Sequence, residues 1–171
     1  MDSTDRPEPD FIDIVRDEWG RSYPEIDTSP IEIVGRITRI SSQALHQLDR
    51  ALAPSSVTRA EFEVLCALAR SDRPLRTSEV TAVTMVSGAA TTKHVERLVA
   101  VGFVERERFE RDGRVVLLRV TDAGREFVDR ELPRRIERDQ RLLAGLDDGE
   151  RAVLAGLLRR ICRNSDDADR I

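Results

Sequence analysis

Cysteine and histidine each occur only twice in this 171-residue chain, and tryptophan and tyrosine once each. Two histidines cannot build a multi-histidine metal centre. Cys66 and Cys162 lie too far apart for a CxxC site and are too few for a disulfide framework. No apolar run reaches the roughly 18 residues that a membrane-spanning helix requires. The first thirty residues hold nine acids against three arginines and lack an apolar stretch, which excludes a signal peptide. Glycine-rich phosphate loops, HExxH and GxSxG are missing. These absences predict a cytoplasmic protein that is not an enzyme and carries neither metal nor cofactor.

What is there amounts to 40% apolar and 35% charged residues, enough for one core with much wetted or intersubunit surface. The length suits one domain, or one domain with a long oligomerisation arm. A formal charge of −4 argues against an indiscriminate polyanion binder, but the charge is unevenly spread. Residues 1–30 carry three basic against nine acidic side chains, and the remainder 25 against 23. Between Ser87 and Val120 there are seven Lys/Arg and five Asp/Glu. A focused cationic face therefore remains open to the chain.

Hydrophobic periodicity orders the elements. The first ten residues read as disordered, and Phe11, Ile14, Val15, Glu18 and Trp19 share one side of a short helix. Ile33, Ile37, Ile40, Ala44, Leu48 and Leu52 form an apolar stripe that stops at Ala53-Pro54. Thr58 and Glu61 make a capping box for the next helix. Its Phe62, Leu65, Cys66, Leu68 and Ala69 cover most of the circumference, which places it deep in the core. Thr77 or Ser78 caps a short helix through Val80 and Val83. Ser87-Gly88 breaks it and caps another, roughly Ala89 to Val101, which ends at Gly102.

Phe103–Phe109 and Arg114–Thr121 then read as strands flanking Asp112-Gly113, a tight-turn dipeptide. Thr121 caps a long helix of about 122–145, interrupted by Pro133, and Gly145 ends it. Asp147 with Glu150 caps a last helix carrying Val153, Leu154, Leu157, Leu158 and Ile161. From the first long helix onward the order is α-α-α-α-β-β-α-α. Its middle is a helix-turn-helix followed by a two-stranded wing. The outer helices keep apolar stripes that the central block cannot cover, which predicts pairing with a second copy.

The helix after Gly88 is two-faced. Thr91, Val95, Leu98, Val99 and Gly102 gather on one side, and Ala90, Lys93, His94 and Arg97 on the other. The second face is small at its start, then hydrogen-bonding, then cationic, which suits entry into a major groove. The amides at Ser87–Ala90 offer a phosphate seat. The plainer reading is an ordinary solvated face. Arg108, Arg111 and Arg114 cluster around the hairpin tip with Asp112 between them. They suit an arginine placed in an adjacent minor groove, or simply a soluble tip. Glu105, Glu107 and Glu110 read as solvated cross-strand partners of arginines rather than as general acids. Cys66, Cys162 and His46 carry no redox or ligand pattern.

Four motifs stand in register: Ser87-Gly88-Ala-Ala-Thr-Thr-Lys-His-Val-Glu-Arg-Leu, Gly102-Phe103-Val104-Glu105-Arg106, Asp112-Gly113-Arg114 and Val120-Thr121-Asp122-Ala123-Gly124. Together they resemble the MarR family of transcription regulators over about Ile31 to Ile161. The resemblance implies a mainly α fold with a small β-hairpin wing: a winged helix-turn-helix with long N- and C-terminal dimerisation helices. Residues 31–54 and 122–165 would form the dimerisation region, 55–121 the DNA-binding domain, and 1–30 an acidic extension with one short helix.

It also implies a homodimer on a palindromic double-stranded operator, usually a repressor released by a small, often anionic aromatic effector. Ser87, Ala89, Ala90, Thr92, Lys93, His94, Arg97, Arg111 and Arg114 would contact DNA, with Asp112 supporting the wing arginine. His94 stands where members often carry arginine. The stretch from Trp19 through Pro24-Glu25-Ile26-Asp27 is similar to the branch with an extra N-terminal helix, which includes urate-responsive members. By that likeness Trp19, Glu63 and Arg114 line a ligand cleft, although many relatives carry Asp at the Glu63 position. Alternatively, Trp19 simply pins the extra helix. The reading is a sequence-specific DNA-binding regulator; the alternative is a winged-helix protein–protein interaction module without DNA binding.

Overall fold

The computed structural model describes residues 8–84, 88–108 and 116–168. Its helices are α1 (Phe11–Ser22), α2 (Ser29–Leu52), α3 (Arg59–Ala69), α4 (Thr77–Val83), α5 (Gly88–Ala100), α6 (Asp122–Leu142) and α7 (Asp148–Ala168). A 3-10 turn at Ala53–Ser55 follows α2. The strands are β1 (Leu75–Arg76), β2 (Val104–Arg108) and β3 (Val116–Val120), an antiparallel sheet in the order β1-β3-β2. The chain divides into two compact units, Met1–Glu63 and Val64–Ile171, with α3 running through the division. No helix among the described residues is long and apolar enough to cross a membrane.

In the first unit, the Asp10 side chain accepts the amides of Ile12 and Asp13, and the Asp13 carboxylate accepts the amide of Asp10. This reciprocal cap starts α1. The helix is then strapped to α2 by ion pairs. Arg36 reaches Asp10 at 3.0 Å and Asp13 at 2.7 Å, and Arg16 reaches Glu32 at 3.2 Å. The Arg36 guanidinium, hydrogen-bonded to Asp13, holds that carboxyl below its ordinary value.

The short helix forms where its pattern predicts, but it buries a different residue. Ile12 is the buried one, seated over Gly35, whereas Phe11, Ile14 and Trp19 are about half exposed. Phe11 is covered instead from outside by the Arg39 guanidinium, 4.8 Å from its ring. On α2 only Leu48 and Leu52 of the apolar stripe are buried; Ile33 and Ile40 remain more than half exposed. The capping box at Thr58 and Glu61 is present, with both reciprocal bonds.

In the second unit, Leu65 and Leu68 of α3 are buried, as the crowded circumference predicts, and so are Val64 and Ala67; Cys66 and Ala69 are only half-buried. Two features depart from the pattern. Leu75-Arg76 is a third strand, paired Leu75 to Leu118 and Arg76 to Leu117, and a two-residue strand is too short to show a period. The cap of α4 accordingly moves back from Thr77 or Ser78 to Arg76, whose amide donates to Glu79 at 2.8 Å. Glu79 also pairs with Arg73, and that hydrogen-bonded guanidinium holds its pKa down at about 2.

The second departure is Pro133, which lies inside α6 without ending it. Proline costs one backbone bond, here to the carbonyl of Asp129; both residues are exposed, so water can take its place. Helix α7 begins with the expected Asp147–Glu150 reciprocal cap. None of its described side chains is buried, and Val153 and Leu157 are 64% and 48% exposed.

Candidate nucleic-acid interface

The α4–α5 pair carries the surface of interest. Val80 of α4 and Thr91, Val95 and Leu98 of α5 are buried, which fixes the rotation of α5 about its axis. The opposite face presents Ala89, Thr92, Lys93 and Arg97 to solvent, with Ala90 and His94 half-buried. Thr92 folds its hydroxyl back onto the Gly88 carbonyl at 3.3 Å. Glu96 is also exposed, so the cationic character is focused on Lys93 and Arg97 rather than spread along the helix. No acid occupies the first turn of α5, so the positive end of its dipole is uncompensated by the helix itself. Ser87, Arg111, Asp112, Gly113 and Arg114, and with them the tight turn and the wing tip, lie outside the described residues.

The end of α5 is built for a sharp exit. Gly102 adopts φ +81°, the left-handed conformation that glycine accepts without a Cβ clash. The amides of Gly102 and Phe103 then return to the carbonyls of Val99 and Leu98 at 3.0 and 2.9 Å. This corrects one detail of the helical-wheel reading: Gly102 is exposed and not on the inward face, because the chain has already left the helix there. Val99, predicted inward, is half-buried.

The wing root closes onto this exit. Thr121 donates its hydroxyl to the Gly102 carbonyl at 2.7 Å, gives its amide to Phe103 at 3.1 Å, and accepts the amide of Gly124 at 3.1 Å. One threonine thus ends β3, caps α6 and ties both to the end of α5. Phe103 and Phe127 stack beside it at 5.2 Å. Strands β2 and β3 pair from Val104 with Val120 to Arg108 with Val116. Arg119 bonds Glu107 at 2.6 Å, a cross-strand pair of the predicted kind.

Two arginines that no local pattern singles out also shape this region. Arg125 of α6 donates to the Ala69 carbonyl at the end of α3, and Arg70 donates to the Val83 carbonyl at the end of α4, each at 3.0 Å. Their partners are distant in sequence, which is why periodicity and capping rules do not reveal them.

Of the expected cleft residues, Trp19 is exposed with its ring 5.3 Å from Tyr23, and Glu63 is half-buried in α3. His46 and Cys162 are exposed. Among the described residues no cluster of His, Cys, Asp and Glu is arranged to hold a metal ion.

Comparison with known proteins bears on what such a surface serves. A profile described as the MarR family matches residues 55–115. The multiple antibiotic resistance protein MarR of Escherichia coli K12 is 30% identical over 131 residues, 75% of this chain and 90% of that protein. The transcriptional regulator PecS of Dickeya dadantii is 26% identical over 151 residues, 87% of this chain and 90% of PecS. Among solved structures, BpsR of Bordetella bronchiseptica, whose DNA binding is regulated by 6-hydroxynicotinic acid, superposes with a TM-score of 0.67 at 26% identity. That match covers 76% of this chain and 92% of BpsR.

Proposed function

Because the chain belongs to the MarR family of transcription regulators, we propose that it acts as a ligand-responsive homodimeric repressor on a palindromic operator. It is a DNA-binding regulator of winged-helix fold and not an enzyme. The observation that carries the DNA reading is the division of α5. Thr91, Val95 and Leu98 are buried, so Ala89, Thr92, Lys93 and Arg97 face outward from a helix whose small first residues permit close approach. His94 completes this contact set. Ser87, Arg111 and Arg114 belong with it, and Asp112 orients the wing arginine.

The homodimer is supported by α7. A 21-residue helix with no buried side chain among its described residues, and with Val153, Leu154, Leu157 and Ile161 on one stripe, has no reason to form alone. Residues 31–54 and 122–165 are the dimerisation region in this reading, and 55–121 reads the operator.

Selection of duplexes from a random pool, followed by a salt titration, tests the proposal. Log K should fall steeply with log[salt], by about 0.9 per phosphate neutralised. Lys93→Ala should lower that slope by about 1, whereas Arg114→Ala, at a base edge, should cost about 1–3 kcal/mol. A chain that retains no duplex even at low salt would leave the protein–protein interaction module in its place.

The effector in this proposal is a small anionic aromatic molecule, with Trp19, Glu63 and Arg114 as its contacts. Regulation of BpsR by 6-hydroxynicotinic acid and the exposed indole of Trp19 support the class. Since Trp19 is the chain's single tryptophan, its fluorescence reports that position alone. Titration with 6-hydroxynicotinate or urate should quench it and weaken operator binding in parallel, and a tenfold weakening needs about 1.4 kcal/mol of differential affinity. An unmoved emission with every aromatic acid tried removes Trp19 from the site.

A further inference from the structure

We infer that Arg125 and Arg70 are positioning residues for DNA recognition, linked in series so that the first turn of α6 sets the end of α4 and hence the placement of α5. The inference rests on the DNA-binding reading above and adds to it the residues that transmit position to the recognition helix.

The last carbonyls of a helix have no partner inside it, and a guanidinium is a favourable one because it meets both the lone pair and the negative end of the dipole. Here two consecutive helices are closed in this way. Arg125 sits in the first turn of α6, where its own amide returns to the Thr121 carbonyl at 2.8 Å, and its Nη1 donates to Ala69, the last residue of α3, at 3.0 Å.

The next residue, Arg70, keeps its amide on the Cys66 carbonyl at 3.1 Å and sends its Nη2 to Val83, the last residue of α4, at 3.0 Å. Beyond Val83 the backbone turns extended at Thr84, whose hydroxyl folds back to Val80 at 3.0 Å, and four residues later α5 begins. Ala69 and Arg70 share one peptide bond. A shift of the Ala69 carbonyl therefore carries the Arg70 side chain with it, and the Val83 carbonyl is the point that feels it. Both arginines are exposed, so they add little to the core and their role is geometric.

The test uses the full-length chain with Arg70→Ala, Arg125→Ala, the double variant, and Arg70→Lys. It follows amide hydrogen exchange in α4 and α5 of the free protein and affinity for the duplex selected by the wild-type chain. Each alanine variant should keep a near-native melting temperature and speed exchange in the last turn of α4 and the first turns of α5. Each should also weaken duplex binding about three- to tenfold, the effect of one hydrogen bond. Arg70→Lys, which can still reach one carbonyl, should recover most of the loss. Because the bonds act in series, the double variant should be little worse than either single one.

Additive losses, or unchanged exchange in α4 and α5, overturn the inference. Should the wild-type chain select no duplex, the DNA reading fails separately, and the exchange measurement alone still decides the linkage. If an alanine variant does not fold, methionine at the same position, which keeps an unbranched apolar stem and cannot donate to the carbonyl, carries the comparison.

Discussion

Gly124→Ala is expected to be the most destabilising single-methyl change in the second unit. It should cost about 3 kcal/mol and lower the melting temperature by roughly 10 °C. A Cβ at this position would lie far inside contact distance of the Phe103 carbonyl oxygen and 2.9 Å from Val120 Cγ2. The backbone cannot simply move aside. The Phe103 carbonyl accepts the amide of Thr121, and Thr121 in turn holds Gly102 and caps α6 through Gly124 itself. Relieving the clash therefore means opening the joint between the end of α5, the end of β3 and the start of α6.

Gly88→Ala is the control. Among the described residues nothing lies within 4 Å of its added methyl, so this replacement at the first residue of α5 should be neutral or stabilising by at most about 1 kcal/mol. Thermal unfolding followed by circular dichroism separates the two. Equal melting temperatures would refute the assignment of Gly124 to a close backbone approach.

The same joint shows what the chain's order of residues reveals and what it hides. Thr58 with Glu61 and Asp147 with Glu150 were legible as caps because a cap is made within four residues. The buried side of α5 was legible as well, since Thr91, Val95 and Leu98 repeat with the helical period. The motif from Val120 to Gly124 was visible, but its reason was not. That reason is the carbonyl of Phe103, a backbone atom some twenty residues earlier, and backbone atoms leave no mark on composition.

Leu75-Arg76 leaves no strand signal in the sequence because two residues have no alternation to show. Arg70, Arg73 and Arg125 carry no local signal because an arginine side chain chooses its acceptor by proximity in space, and among 28 Lys and Arg no single one stands out. The α2 stripe is apolar in the sequence pattern. Its exposure at Ile33 and Ile40 among the described residues is consistent with the proposed pairing of two copies.

Leu154→Glu combined with Leu157→Glu is expected to turn the proposed dimer into a monomer that remains folded. Both leucines lie on the uncovered stripe of α7, 37% and 48% exposed, with Val153 and Ile161 on the same side. Two glutamates there leave the core of either unit untouched, because no described side chain of α7 is buried. At an interface, however, burying four carboxylates across a two-fold axis without partners costs far more than the lost leucine contacts.

Sedimentation velocity should show a change from about twice the chain mass to the chain mass, while far-ultraviolet circular dichroism stays helical. Operator binding should fall by about 10²–10⁴-fold, because a monomer engages one half-site and forfeits the effective concentration supplied by the second. The residual affinity should keep the salt slope of a single α5, since Lys93 and Arg97 are unaltered. A double variant that stays dimeric would place the subunit contact away from α7. One that becomes monomeric yet binds the full operator unchanged would show that recognition by α5 does not depend on its pairing.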